Sequence, residues 1–135
     1  MGLVLRRLTV AITVLAAAGL TGCGTGADER EARRSVDRFE VAVQARDGAG
    51  ACAELSEDTS SSLEQSEKKP CEQAILSAEL TPTREVVEAS VWVTSAQVKL
   101  DGDTAFLDRT SQGWKISAVG CQPRPGAPYE CELEG

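Results

Sequence analysis

Five cysteines, Cys23, Cys52, Cys71, Cys121 and Cys131, are the residues of this chain best equipped for chemistry, and no histidine accompanies them. A cysteine can serve as nucleophile, metal ligand, disulfide half or acceptor of a covalent lipid. Spacing decides among these roles. The last four are separated by 18, 49 and 9 intervening residues, whereas zinc sites favour pairs roughly two to four residues apart, so no metal is expected. The missing imidazole also removes the usual acid–base group at neutral pH. Glu88 and Asp108 fall in strand-like stretches and could face a pocket, although alternation assigns both to a polar face. Ser66 and Lys69 have the Ser-x-x-Lys spacing of acylating enzymes, but the chain is far too short for that fold and lacks its partner motifs. Asp101-Gly102-Asp103 opens like a calcium loop, yet the glycine position holds Phe106 and the twelfth position holds Gln112. No Gly-rich phosphate loop or Gly-x-Ser-x-Gly elbow occurs. The expectation is a non-enzyme without metal or cofactor.

A chain of 135 residues holds one domain. Its 14 basic and 21 acidic side chains give a net charge of −7. That balance argues against nucleic acid, whose backbone is held by clustered Lys and Arg, and against electrostatic docking on an anionic bilayer.

The N-terminus is a different kind of segment. Arg6 and Arg7 precede an uncharged run, Leu8 to Leu20, in which only Thr9 and Thr13 are clearly polar. A membrane-spanning helix needs about 20 apolar residues, so this run is short for one and suits the apolar region of a secretory signal. A core helix would carry a polar face, and this run has none. Met1-Gly2 does not continue into a myristoylation motif, because Arg6 replaces the Ser or Thr required there. Arg6-Arg7 leaves a twin-arginine export route open.

Leu20-Thr21-Gly22-Cys23 resembles the lipobox of bacterial lipoproteins. The resemblance implies that Cys23 receives a diacylglycerol group and becomes the first residue after cleavage. Residues 1–22 are then a signal peptide, and residues 23–28 the lipidated cysteine and a short small-residue tether. The expected location is the cell membrane, lipid-anchored on its extracytoplasmic face. An ordinary secretory cut would instead give a freely secreted protein, with Cys23 unlipidated and either removed or paired in a disulfide. With Cys23 assigned to lipid, Cys52, Cys71, Cys121 and Cys131 form an even set in an oxidising compartment. Three pairings are possible; the two sequence-local ones, Cys52–Cys71 and Cys121–Cys131, are favoured.

The elements that would position these residues change period partway along. Ala32, Val36, Phe39 and Val43 recur at helical spacing from Asp28 to about Gly48, opposite Arg30, Arg34, Asp37 and Arg38 on a solvated face. Residues 49–79 read as two or three short helices, with Ser56 or Asp58 as a cap and Pro70 as a stop. Beyond Pro82 the period becomes two: Val87, Ala89, Val91 and Val93 alternate with Glu88, Ser90, Trp92 and Thr94, and Ala96, Val98 and Leu100 continue the apolar set. Asp101-Gly102 is a strong hairpin signal that sets Val98 opposite Ala105 and Ala96 opposite Leu107. Ser111-Gln112-Gly113 turns the chain again, and Trp114, Ile116 and Ala118 lead to Cys121. The three-proline tail up to Cys131 reads as a disulfide-closed loop. Trp92 shares a face with Glu88 rather than the valines. It is expected to pack in a core, or else to line a pocket with Glu88 and Asp108.

Helices followed by an antiparallel meander make an α+β domain over residues 29–135. The stretches "VDRFEVAVQARDGAGACAEL" and "VKLDGDTAFLDRTSQGWKISAVGC" resemble the NTF2-like cone-shaped α+β fold, particularly its small secreted or lipoprotein members in high-GC Gram-positive bacteria. That family hosts ketosteroid isomerases, dehydratases and polyketide cyclases beside non-catalytic binding modules, so the fold leaves function open. Its enzymes place an Asp–His pair, or Asp with Tyr, in the cone. This chain has no histidine, and its one tyrosine, Tyr129, lies in the proline-rich tail. The resemblance therefore implies a membrane-anchored binding or scaffold module with a protein or small-molecule partner. A small-ligand carrier or enzyme using the cone pocket is the alternative.

Overall fold

The computed structural model describes residues 25–81 and 85–135. The stretch expected to be a lipobox, Leu20 to Cys23, and the apolar run expected to be a signal segment lie outside the described residues. Helix α1, Thr25–Gln44, starts inside the stretch expected as tether, so residues 25–28 form its first turn. Ala32, Val36 and Phe39 are buried along one stripe, and Val43 is half-buried at its end. Arg46 takes a positive φ of 56° and ends the helix. Asp47 then caps α2, Gly48–Glu54, by accepting from the Gly50 N–H at 2.9 Å. At Gly48 an added Cβ would stand 1.9 Å from the Glu72 carbonyl oxygen, so only glycine permits this helix–helix approach.

Ser56 caps α3, Glu57–Glu67, as its position ahead of the polar run suggests, and Lys68 closes that helix in the left-handed region. Pro70 precedes a single turn, α4, Cys71–Ala74, which tightens into a short 3-10 turn, Ile75–Ser77. The Cys52–Cys71 disulfide staples α2 to α4. Closing such a loop stabilises the fold by about 3 kcal/mol in the chain-entropy picture.

The sheet is an antiparallel meander of β1 (Val86–Trp92), β2 (Ser95–Leu100), β3 (Asp103–Thr110) and β4 (Gly113–Arg124). The Asp101-Gly102 turn sets the expected register: Val98 faces Ala105 and Ala96 faces Leu107. The far edge of β4 is covered along its length. Leu55 bridges to Ile116, β6 (Leu133–Glu134) pairs at Ala118 and Val119, and β5 (Ala127–Glu130) pairs at Gln122 and Arg124. Edge β1 has no such cover among the described residues.

The helices lie on one sheet face, and Phe39, Val36, Val98, Leu107, Ile116 and Val119 fill the space between. Burying an aliphatic or aromatic side chain of this kind is worth roughly 1.5–3 kcal/mol. Trp114 completes this core at 3% exposure.

Three departures from the sequence pattern have local causes. The tail before Cys131 is not a loop: β4 continues through Gln122 to Arg124, turns at Pro125-Gly126, and returns as β5. Its prolines are tolerated because this pairing is short and lies at the sheet edge. Val87 and Val93 do not join the inward apolar set. A register shift between Val86 and Glu88 turns Val87 outward to 65% exposure, and Val93 sits in a tight turn at 87% exposure. Trp92 is no core residue either. It is 56% exposed beside that turn.

Candidate functional site

The three residues singled out for a pocket, Glu88, Trp92 and Asp108, share the sheet face that points away from the helices. Cross-strand pairing explains their arrangement. Trp92 stands opposite Ser95, Ser95 opposite Asp108, and Asp108 opposite Lys115, which makes one continuous row across four strands. The Ser95 hydroxyl reaches Asp108 at 3.4 Å. Glu88 belongs to a separate row and pairs with Lys99 at 3.1 Å. All three are solvent-exposed. The row therefore places Trp92 and Asp108 in one line, two strand spacings apart with Ser95 between them, and leaves Glu88 in another row. Chemically, the Ser95 hydroxyl meets a carboxylate with no imidazole between them, so the relay that activates a serine nucleophile is not assembled.

The same outer face is closed at its other end by the terminal hairpin. Tyr129 of β5 packs edge-on against Phe106 with ring centroids 5.1 Å apart, and Gln97 donates to its hydroxyl at 3.3 Å. Gln122 donates to the Gly102 carbonyl at 2.7 Å, which holds the hairpin across the β2–β3 turn. The Cys121–Cys131 disulfide ties the hairpin at its root. Tyr129 is thus a structural clasp.

Among the clefts on the helical side, two lie along α1 and α2. One of about 290 Å³ is lined by Val43, Ala51, Ile75, Leu76, Ala78 and Leu80. The other is a shallower groove of about 450 Å³ along α1 and α2, floored by Val41, Ala42, Ala45 and Ala53. Neither contains Glu88, Trp92 or Asp108. Beside the groove, α1 and α2 are joined by a charged network that sequence patterning missed. Arg38, expected on a solvated face, donates Nε to Glu54 Oε1 at 2.7 Å and Nη2 to Oε2 at 3.1 Å. The buried Ser35 hydroxyl donates to Glu54 Oε2 at 2.9 Å. The hydrogen bonds that Arg38 donates to the Glu54 carboxylate push the pKa of its guanidinium above the ordinary value.

A second cluster gathers where α1 begins. Arg109 donates Nη2 to the Asp28 carboxylate and Nε to the Val93 carbonyl, the latter at 3.2 Å. Its guanidinium lies 4.6 Å from the Trp114 ring centroid. The Trp114 indole also approaches Asp28 Oδ1 at 3.5 Å. The hydrogen bond from Arg109, aided by Trp114, holds the Asp28 carboxyl below its ordinary value of 3.8 against the opposing effect of burial. One guanidinium thus joins the helix start, the β1–β2 turn and the edge of the core.

Among the described residues, no group of three or more Cys, Asp or Glu side chains could hold a metal ion, and no helix is long and apolar enough to cross a membrane. No known family model, curated protein or solved structure matches the chain.

Proposed function

We propose that this protein is a lipoprotein, anchored through a diacylglycerol on Cys23 to the extracytoplasmic face of the cell membrane, whose α+β domain is a non-catalytic binding or scaffold module of NTF2-like type. The observation that carries the reading is the use of the other cysteines. Cys52 bonds to Cys71 and Cys121 to Cys131, so each of the four has its partner within the domain. That leaves Cys23 as the odd thiol, at the end of an apolar run and within a Leu-Thr-Gly-Cys sequence. Two disulfides also fit an oxidising compartment outside the cytoplasm. The filled space between helices and sheet, with Glu88 and Asp108 on the opposite face, favours a binding module over a carrier or enzyme with a cone pocket.

Metabolic labelling with a radioactive lipid precursor tests the anchor. The wild-type chain should carry label and sediment with membranes, and Cys23→Ala should do neither. Equal labelling and fractionation of the two proteins would refute the assignment.

A further inference from the structure

We infer that the β1–β2 turn, with Trp92 and Val93 at its tip, is a second membrane contact that orients the domain on the bilayer; the inference rests on the reading of Cys23 as lipid-bearing. Position is the first argument. Helix α1 begins at Thr25, so Cys23 precedes it by only two residues, a reach of at most about 7 Å. Asp28 lies one turn into that helix, and Arg109 binds both its carboxylate and the Val93 carbonyl. The anchor and the turn therefore stand at the same end of the domain. The Asp101-Gly102 turn lies at the opposite end of the sheet.

Composition is the second argument. Trp92 is 56% exposed and Val93 87%, side by side at a tip that continues into Thr94 and Ser95 without a charge. Tryptophan favours the bilayer–water boundary, where its ring is buried and its N–H remains hydrated. Electrostatic attraction is not available to a chain of net charge −7 on an anionic surface, so a tip whose own residues, Trp92 to Ser95, are apolar or uncharged is the chemistry such a domain can offer lipid, with Arg109 and Asp108 standing behind it.

Backbone conformation is the third argument. Val93 holds a φ of 36°, which β-branched residues rarely adopt, at a turn position where Gly or Asn would be unstrained. An outlier of this kind at an exposed tip points to selection for the side chain rather than for turn stability. Because a diacyl anchor already supplies membrane affinity, the tip sets orientation and depth.

The test uses the purified full chain reconstituted in phosphatidylcholine vesicles whose acyl chains are brominated near the headgroup. Acylation of Cys23 is verified by mass spectrometry. Wild-type tryptophan emission should be quenched by the bromolipid. Trp92→Phe should remain vesicle-bound and lose that quenching, since Trp114 is buried. Raised salt should leave the wild-type signal unchanged. An acylated, vesicle-bound chain whose emission is unquenched, or equally quenched after Trp92→Phe, overturns the contact and leaves the anchor standing. Shielding of Trp92 that follows protein concentration rather than lipid assigns the tip to a second copy of the chain and overturns it too. A chain without acyl modification on Cys23 defeats the anchor, and the membrane contact falls with it.

Discussion

Arg109 and Asp28 stand 81 positions apart in sequence and form an ion pair that fixes the first turns of α1 to the end of β3. The pair is partly exposed, with side-chain exposures of 42% and 26%, so water screens the charge attraction. Its second anchor is Trp114, which supports the guanidinium from below and leads directly into the core. The helix start is thereby coupled to the sheet through one side chain.

The pH dependence of that coupling has a definite sign. Arg109 lowers the folded-state pKa of Asp28 below 3.8, so the stabilisation is complete above the unfolded value and is lost as pH falls through the lowered one. Asp28→Asn should therefore melt below wild type by a constant margin at neutral pH. That margin should shrink once pH drops below about 4. Thermal melts of both proteins across the acid range check this, and a margin independent of pH would refute it.

Much of the architecture is legible from local chemistry. Asp101-Gly102 specifies a two-residue turn, and the alternation on either side fixes a register that the sheet reproduces pair for pair. Ser56 marks a helix start because its hydroxyl can accept from the Thr59 N–H. The short loops between Cys52 and Cys71 and between Cys121 and Cys131 identify both disulfides. The illegible parts depend on what the chain meets in space. Nothing near Asp28 signals that Arg109 will pair with it, and nothing around Arg38 names Glu54 as partner. The strand character of β5 is hidden by prolines that only an edge tolerates. The Val93-Thr94 turn contains no Gly, Asn, Asp or Pro, so period-two alternation runs through it unmarked. As for the candidate site, alternation correctly groups Trp92 with Glu88 on one face. It does not reveal that Trp92 stays exposed on that face, since a tryptophan of that size is as readily expected to pack in a core.

The Ser35–Arg38–Glu54 network predicts an order of losses. Glu54 is 9% exposed and accepts from both partners. Glu54→Ala removes the acceptor and strands the fully buried Ser35 hydroxyl, at a cost of about 2–3 kcal/mol. Ser35→Ala should cost only about 1 kcal/mol, because Arg38 still satisfies the carboxylate. Urea denaturation with an unchanged m-value would measure both. Equal losses in the two variants would mean that the Ser35 contact, rather than the ion pair, fastens α1 to α2.

The turn at Val93 makes the opposite prediction, a gain. Val93 and Thr94 form a two-residue hairpin loop between Trp92 and Ser95 in which Val93, not Thr94, has a positive φ, a region that Gly and Asn enter more readily than Val. A β-branched side chain held there strains against its own backbone by about 1–2 kcal/mol. Val93 is 87% exposed, so its side chain recovers little of that through packing. Arg109 is the compensating device: its backbone N–H donates to the Thr94 carbonyl at 2.8 Å while its side chain holds the Val93 carbonyl. Val93→Asn should keep both bonds, relieve the strain and raise stability by about 1 kcal/mol, visible as a higher denaturation midpoint. Arg109→Ala should then destabilise the Asn variant less than it destabilises wild type, since a relaxed turn depends less on its clamp. If the Asn variant proves no more stable, the strain assigned to this turn is absent.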